Sequence, residues 1–264
     1  LSNLRAAYII WYRDLLRFWR DKARFIGSFI TPFLFLVVFG TGIGSALTGS
    51  FGDGSLNYKQ FIYPGIIGMV VLMNSTMSGM SIVWDREFGF LKEVLVAPIS
   101  RTAVAVGKAF GGATIATILG LVMLVFIPFV DVSPSATDVL VLIAVMLVFA
   151  LSVTSMGILI ASRIKSMEAF QLVMQLMLFP LLFLSPAMFP SGTLPTWLGV
   201  VVKFNPVSYG IDAMRQAMLG TEQSAMFGLE LFGYRMPIIL DVAVLAVFGV
   251  VMGALAIRAF RVQD

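Results

Sequence analysis

The chain has 264 residues, 59% of them hydrophobic and 12% charged, with a formal net charge of +4. Soluble domains run at about half apolar and about a quarter charged, so a water-soluble fold of this size cannot hide that much apolar surface. Cysteine and histidine are both absent, which excludes disulfides, thiol chemistry and metal sites built on those two residues.

Residues 1–24 come first and read as an amphipathic helix. Leu4, Tyr8, Trp11, Leu15, Phe18 and Trp19 share one face at helical spacing, and Arg13, Arg17, Arg20 and Arg24 share the other. Aromatics on one side and arginines on the opposite side describe a helix lying in the membrane interface against lipid. A helix packed on a partner protein is the alternative. The segment has no apolar core followed by small residues, so no cleavable signal peptide is expected.

Residues 25–264 then form the transmembrane domain of an all-α integral membrane protein. Six apolar stretches are long enough for a hydrocarbon core of about 30 Å: Phe25–Ile43, Phe61–Val83, Val104–Val130, Val139–Ala161, Phe170–Met188 and Pro237–Ile257. With six spans, fourteen of the eighteen Lys and Arg residues fall on one side. That asymmetry makes the basic side cytoplasmic and places both termini there. The positive charge is therefore read as topology, and no nucleic-acid partner is expected.

Residues 189–219 interrupt the pattern on the other side. Pro190, Pro195 and Pro206 divide them into two apolar stretches, Trp197–Phe204 and Val207–Leu219, each too short to span. A re-entrant helical pair is expected, packed against protein or facing a wet cavity.

Residues 84–101, WDREFGFLKEVLVAPISR, lie between the second and third spans on the cytoplasmic side. Phe88, Leu91 and Leu95 share a helical face, Asp85 and Glu87 suit a helix start, and Pro98 stops the helix. A short amphipathic helix in that place is a docking element for a partner groove.

This stretch resembles the coupling-helix signature of ABC-2 type exporter permeases. The matching positions are Asp85, Arg86, Glu87, Gly89, Glu93, Leu95, Pro98, Ser100 and Arg101; Phe90 stands where the family often has Thr. The segment FNPVSYGIDAMRQAM, Phe204 to Met218, with Asn205, Pro206 and Tyr209, is similar to the matching family region. The resemblance covers nearly the whole chain, and the most similar subgroup is the daunorubicin-resistance-like drug-exporter permeases.

The resemblance implies a permease subunit in a prokaryotic cytoplasmic (inner) membrane, a homodimer paired with two ABC ATP-binding subunits. ATP and Mg would be held by that partner, with no cofactor on this chain. Asp85, Arg86, Glu87, Gly89, Glu93, Pro98 and Arg101 would contact the ATPase. The amphipathic helix, through Trp11, Arg13, Arg17 and Arg20, would form a second contact to ATPase and lipid. The cargo expected is a lipophilic or amphipathic drug-like compound; a lipid or lipid-linked glycan is the alternative. No G-x-x-x-x-G-K-[ST] occurs: Thr102, not Gly, lies five residues before Gly107, and Ala109 follows Lys108.

Polar residues inside the spans are candidates for a substrate path. Asn74 and Ser75 lie mid-span in the second, and Gln171 and Gln175 share one face of the fifth. Helix–helix hydrogen bonding is the plainer account of all four. Gly107, Gly111 and Gly112 read as packing positions. Asp241 sits near the outer end of the sixth span, a partner for Arg235 or Arg215 or an interfacial acid with access to water. No second intramembrane acid accompanies it in the sequence pattern, which argues against a proton relay. A secondary carrier or channel is disfavoured by the lack of a charge network and of inverted repeats. A membrane enzyme is disfavoured by the lack of His, Cys and clustered acids.

Overall fold

Backbone polar groups have no water to bond in a bilayer, so apolar runs of this length fold as helices. The computed structural model describes residues 3–43, 57–87, 100–189, 195–224, 228–231 and 234–261. Its helices are α1 (Asn3–Arg20), α2 (Lys22–Val37, continued by a π-helical turn, Val38–Ile43), α3 (Tyr58–Met77), α4 (Met80–Glu87) and α5 (Arg101–Val122, continued by a 3₁₀ turn, Met123–Phe129). There follow α6 (Ala136–Arg163), α7 (Met167–Phe183), α8 (Thr196–Phe204), α9 (Pro206–Gln223) and α10 (Ile238–Arg261). Two-residue strands, β1 (Glu230–Leu231) and β2 (Tyr234–Arg235), pair antiparallel and are the only β structure among the described residues.

Five helical stretches are long and apolar enough to cross a bilayer: Phe25–Gly42, Tyr58–Glu87, Arg101–Phe129, Ala136–Arg163 and Ile238–Ala259. The chain is a multi-pass α-helical membrane protein. Two expectations change in detail. The second span runs on to Glu87 instead of stopping at Val83, and it breaks at Ser78–Gly79 between α3 and α4. At that break the backbone of Gly79 lies against Gly157 of α6: a Cβ there would stand 2.6 Å from the Gly157 carbonyl oxygen. The fifth span is shorter than expected. Helix α7 ends at Phe183 after 17 residues, because Pro186 cannot continue a helix and turns its predecessor away from helical geometry. At 1.5 Å per residue α7 is about 26 Å long.

The helices alternate in direction. One end of the bundle gathers the end of α4, the start of α5, the end of α6 and the start of α7. Ser100 caps α5 by accepting from Ala103 N, and Ser166 caps α7 by accepting from Ala169 N. The opposite end gathers the start of α3, the loop before α6 and the end of α7. There Gln60 donates to Asp131 O and Tyr58 to Met188 O. Helix α6 is central and packs on α3, α5, α9 and α10. It runs parallel to α10: Ser152 Oγ donates to Leu245 O at 2.7 Å, and Gly249 and Gly253 lie against Ser152 and Ser155.

Helix α1 runs parallel to the first half of α5. Ser100 N donates to Asn3 Oδ1, Ala7 and Ile10 cover Gly107, Asp14 covers Gly111, and Trp11 Nε1 donates to Thr114 Oγ1 at 3.1 Å. The apolar face foreseen for α1 is divided by this packing. Phe18, with Ala6 and Ile10, is buried, while Leu4, Tyr8, Tyr12, Leu16 and Trp19 form an exposed stripe. The glycines at 107, 111 and 112 let α5 approach its neighbours, as the sequence pattern suggests.

A Cβ at Gly107 would stand 2.7 Å from the Ala7 carbonyl oxygen, a backbone atom that cannot rotate aside. Gly107→Val is expected to cost about 1–3 kcal/mol through overpacking, read as a lower thermal unfolding midpoint in detergent. Gly199→Ala, whose Cβ meets nothing within 4 Å, should not lower it.

Candidate functional site

The segment identified from sequence as a docking element has its two roots in α4 and α5. Its middle, residues 88–99 with Gly89, Glu93 and Pro98, lies outside the described residues. At the roots stands a cluster of charges drawn from three helices. Lys108 of α5 points its ammonium at Asp85 Oδ2 of α4 (3.1 Å) and Asp14 Oδ2 of α1 (3.5 Å), and donates to Ser81 Oγ at 2.9 Å. Arg13 Nη2 completes the group, 3.3 Å from Asp14 Oδ1 and 3.7 Å from Asp85 Oδ2. Two cations and two anions balance. The Lys108 side chain is 2% exposed and that of Asp85 10%. Burial removes each ion from water at a cost of several kcal/mol, which only close partners and further hydrogen bonds offset. The arrangement therefore fixes α1, α4 and α5 together.

The next two residues of α4 reach other helices. Arg86 Nη1 and Nη2 donate to the carbonyl of Ser162, and Nη1 also to that of Ile164. A guanidinium here meets orphan carbonyls at the C-terminus of α6, where the helix dipole favours a cation. Glu87 accepts from Met167 N at 3.2 Å. That is a free amide at the N-terminus of α7, where the dipole favours an anion. Asp85, Arg86 and Glu87, all expected to face an ATPase, thus make contacts within this chain. Arg101 opens α5 on the far root of the segment.

A cleft of about 240 Å³ adjoins the cluster, lined by Asp14, Arg17, Asp21, Asn74, Ser81 and Trp84 among others. Arg17 lies over the Trp84 ring, 5.7 Å from its centroid, and Arg20 is exposed. The residues proposed for a substrate path are not brought together. Asn74 faces this cleft and donates to Val70 O. Ser75 is buried in the bundle. Gln171 and Gln175 lie on the exposed side of α7, beside Leu172, Leu176 and Phe179.

At the other end of the bundle, Asn205 links α8 and α9. Its Nδ2 donates to the carbonyls of Leu181 (2.7 Å) and Leu184 (2.8 Å) at the end of α7, and its Oδ1 accepts from Val207 N. Asn205 thus caps α9, with Pro206 at the first helical position where its missing N–H costs nothing. Tyr209 Oη donates to Lys203 O at 2.6 Å. Helix α9 is buried along most of its length, whereas α8 exposes Trp197, Val200 and Phe204. Asp241 is wholly buried and bonds neither Arg215 nor Arg235; its partner is Gln216. A second buried acid, Asp212, shares that partner, contrary to the expectation of a solitary acid.

The family model described as ABC-2 type transporter matches residues 5–219. The chain belongs to the ABC-2 type transporter family. The match takes in the charge cluster, the segment between α4 and α5, and the Asn205 turn. A relative named Putative transport permease ycf38, from Porphyra purpurea, is 32% identical over 217 residues, 80% of this chain and 72% of that protein. The inner membrane transport permease YadH of Escherichia coli K12 is 29% identical over 217 residues, 80% of this chain and 82% of YadH. A third relative, named Probable multidrug ABC transporter permease YbhR, from the same strain, is 25% identical over 166 residues, 62% of this chain and 45% of YbhR.

Lys108 and Asp14 escaped sequence reading as site residues. The signal was present: Lys108 lies inside an apolar span, and intramembrane charges carry function or need partners. Lys108→Met leaves Asp85 buried beside fewer cations and should destabilise by roughly 3–5 kcal/mol, the cost of breaking a buried pair from one side. Adding Asp85→Asn should restore much of the loss. Thermal unfolding midpoints of the two variants and the parent check this.

Proposed function

We propose that this chain is the transmembrane permease subunit of an ATP-driven exporter. It pairs with a second copy and with two ATP-binding subunits, which hold ATP and Mg. The observation that carries the proposal is the anchoring of segment 88–99. Its α4 root is tied by Asp85 to α1 and α5, by Arg86 to α6 and by Glu87 to α7. A push on the segment therefore reaches four other helices at once, as a coupling element requires. Within this reading Gly89, Glu93, Pro98 and Arg101 contact the ATPase, and Asp85, Arg86 and Glu87 transmit the movement inside the permease. The basic end of the bundle is cytoplasmic, and the membrane is the inner membrane, as in the name of YadH.

The outward glutamines of α7 support a second copy. Beyond Glu168 in its first turn, the exposed side of α7 is apolar except for Gln171 and Gln175; these would meet lipid in a single chain, and a protein neighbour gives their amides partners. The cargo proposed is a lipophilic or amphipathic drug-like compound, in line with the name of YbhR.

Co-purification with the ATP-binding chain tests the proposal. Glu93→Ala should weaken association roughly 10- to 150-fold, the loss of one charged hydrogen bond worth roughly 1.5–3 kcal/mol. Glu87→Gln should leave association intact. Failure of the unaltered permease to bind any ATP-binding subunit would overturn the assignment and favour a secondary carrier or channel.

A further inference from the structure

Two buried acids from different elements meet near the start of α10. Asp212 of α9 and Asp241 of α10 are both fully inaccessible to solvent, and Gln216 between them is nearly so. Gln216 Nε2 lies 3.0 Å from Asp212 Oδ2, 2.9 Å from Asp241 Oδ2 and 3.0 Å from Met236 O. An amide NH₂ carries two hydrogens, so one of these three acceptors receives none from Gln216. Asp212 Oδ2 also accepts from Leu229 N at 3.3 Å. The second oxygen of each acid, Asp212 Oδ1 and Asp241 Oδ1, is buried without a hydrogen-bond partner.

The nearby cations do not fill the gap. Arg215 Nη1 stands 3.9 Å from Asp212 Oδ1, an ion contact too long for a hydrogen bond. Its Nη2 donates to Pro186 O, and the guanidinium stacks 4.3 Å over Phe61. Arg235 of β2 donates to Ser224 Oγ. Asp241 has no ion pair among the described residues. On the other packed elements, α3 turns Tyr58 and Tyr63 onto the carbonyls of Met188 and Met123 and lays Lys59 beside Gly40. Tyr209 donates to Lys203 O, and α6 carries ionisable residues only at its ends, Asp138 and Arg163. Arg215 Nε and Nη1 and Arg235 Nε are themselves buried without a hydrogen-bond partner, yet none lies within bonding distance of the outer carboxyl oxygens, which are left unmet in a dry setting where unmet acceptors and unpaired charges are costly.

We propose that Asp212 and Asp241 together form a single-proton binding site that latches α9 to α10. One carboxyl oxygen carries the proton and donates it to the other acid, and Gln216 then serves the remaining acceptors. The proton comes from bulk water when this end of the bundle opens and returns there when it leaves. Without it, two like charges face each other across the α9–α10 contact and push it apart. The proton site stands whether or not the chain is a permease; if it is one, opening at this end is linked to pH.

Infrared spectroscopy of the purified full chain tests this without transport or ATP hydrolysis. At neutral pH the unaltered protein should show a carboxylic-acid C=O band that shifts on 4-¹³C-aspartate labelling. The band should be lost in Asp241→Asn and in Asp212→Asn, and kept in Asp138→Asn, which alters an acid at the solvent-exposed start of α6. A labelled protein without any aspartic-acid band at neutral pH overturns the proposal, as does a band that persists in both Asn variants. Should the Asn variants not accumulate, the labelled unaltered protein decides alone.

Discussion

The buried ammonium of Lys108 is the constraint on which the end of this bundle that gathers α1, α4 and α5 depends. An amine at 2% exposure in the flank of an apolar helix cannot stand alone, because the desolvation cost must be offset by nearby anions. The two anions come from different places in the chain, Asp14 from α1 and Asp85 from α4. Their meeting at one cation fixes the path of α1 along α5 and the angle at which α4 leaves the bundle. The glycines at 107 and 111 serve the same contact from the backbone side: they let α1 come close enough for Asp14 to reach. Arg86 and Glu87 then continue the pattern one residue at a time, each matched in sign to the helix terminus that it meets.

Much of this was legible in the sequence, and the reasons differ by element. The spans declared themselves by length and apolarity, and the break before α9 by Pro206. The small residues of α5 announced close packing. Other features were hidden because they depend on contacts distant in the chain. Lys108 was counted as a topology marker, since a single lysine near a span end satisfies that rule without any partner. Asp241 appeared solitary because Asp212 lies 29 positions away in sequence, on a helix that only the fold folds back against α10. Trp11 was assigned to the apolar face by helical geometry alone, but that geometry does not say where α5 will lie. The stop at Phe183 needed weight on Pro186, where the apolar run itself continues to Met188.

The two ends of the bundle use polar chemistry in different ways. At one end charges balance one another across α1, α4 and α5. At the other, amides predominate: Asn205 holds the end of α7 against the start of α9, and Gln216 bridges α9 and α10. A polar contact between helices in a membrane contributes about 0.6 kcal/mol on average, so none of these alone holds the bundle. Their value lies in direction. Each bond has a single geometry, whereas the surrounding Leu, Ile, Val and Phe contacts can slide. The polar pairs therefore select which of many similarly greasy packings the chain adopts.

Helix α10 is made after the other described helices, yet it lies along the central helix, α6. Ser152 Oγ awaits the Leu245 carbonyl, Ser152 and Ser155 of α6 await Gly249 and Gly253, and Gln216 awaits Asp241. Until the ribosome has delivered those residues, α6 carries an open groove and α9 an acid without its counterpart. Domains that fold during synthesis commonly settle from their N-terminal side. Here the earlier helices can gather, but the centre stays unsealed until α10 arrives. A chain truncated before α10 would thus lack the closing piece of its core, even though every residue of the charge cluster had already been made.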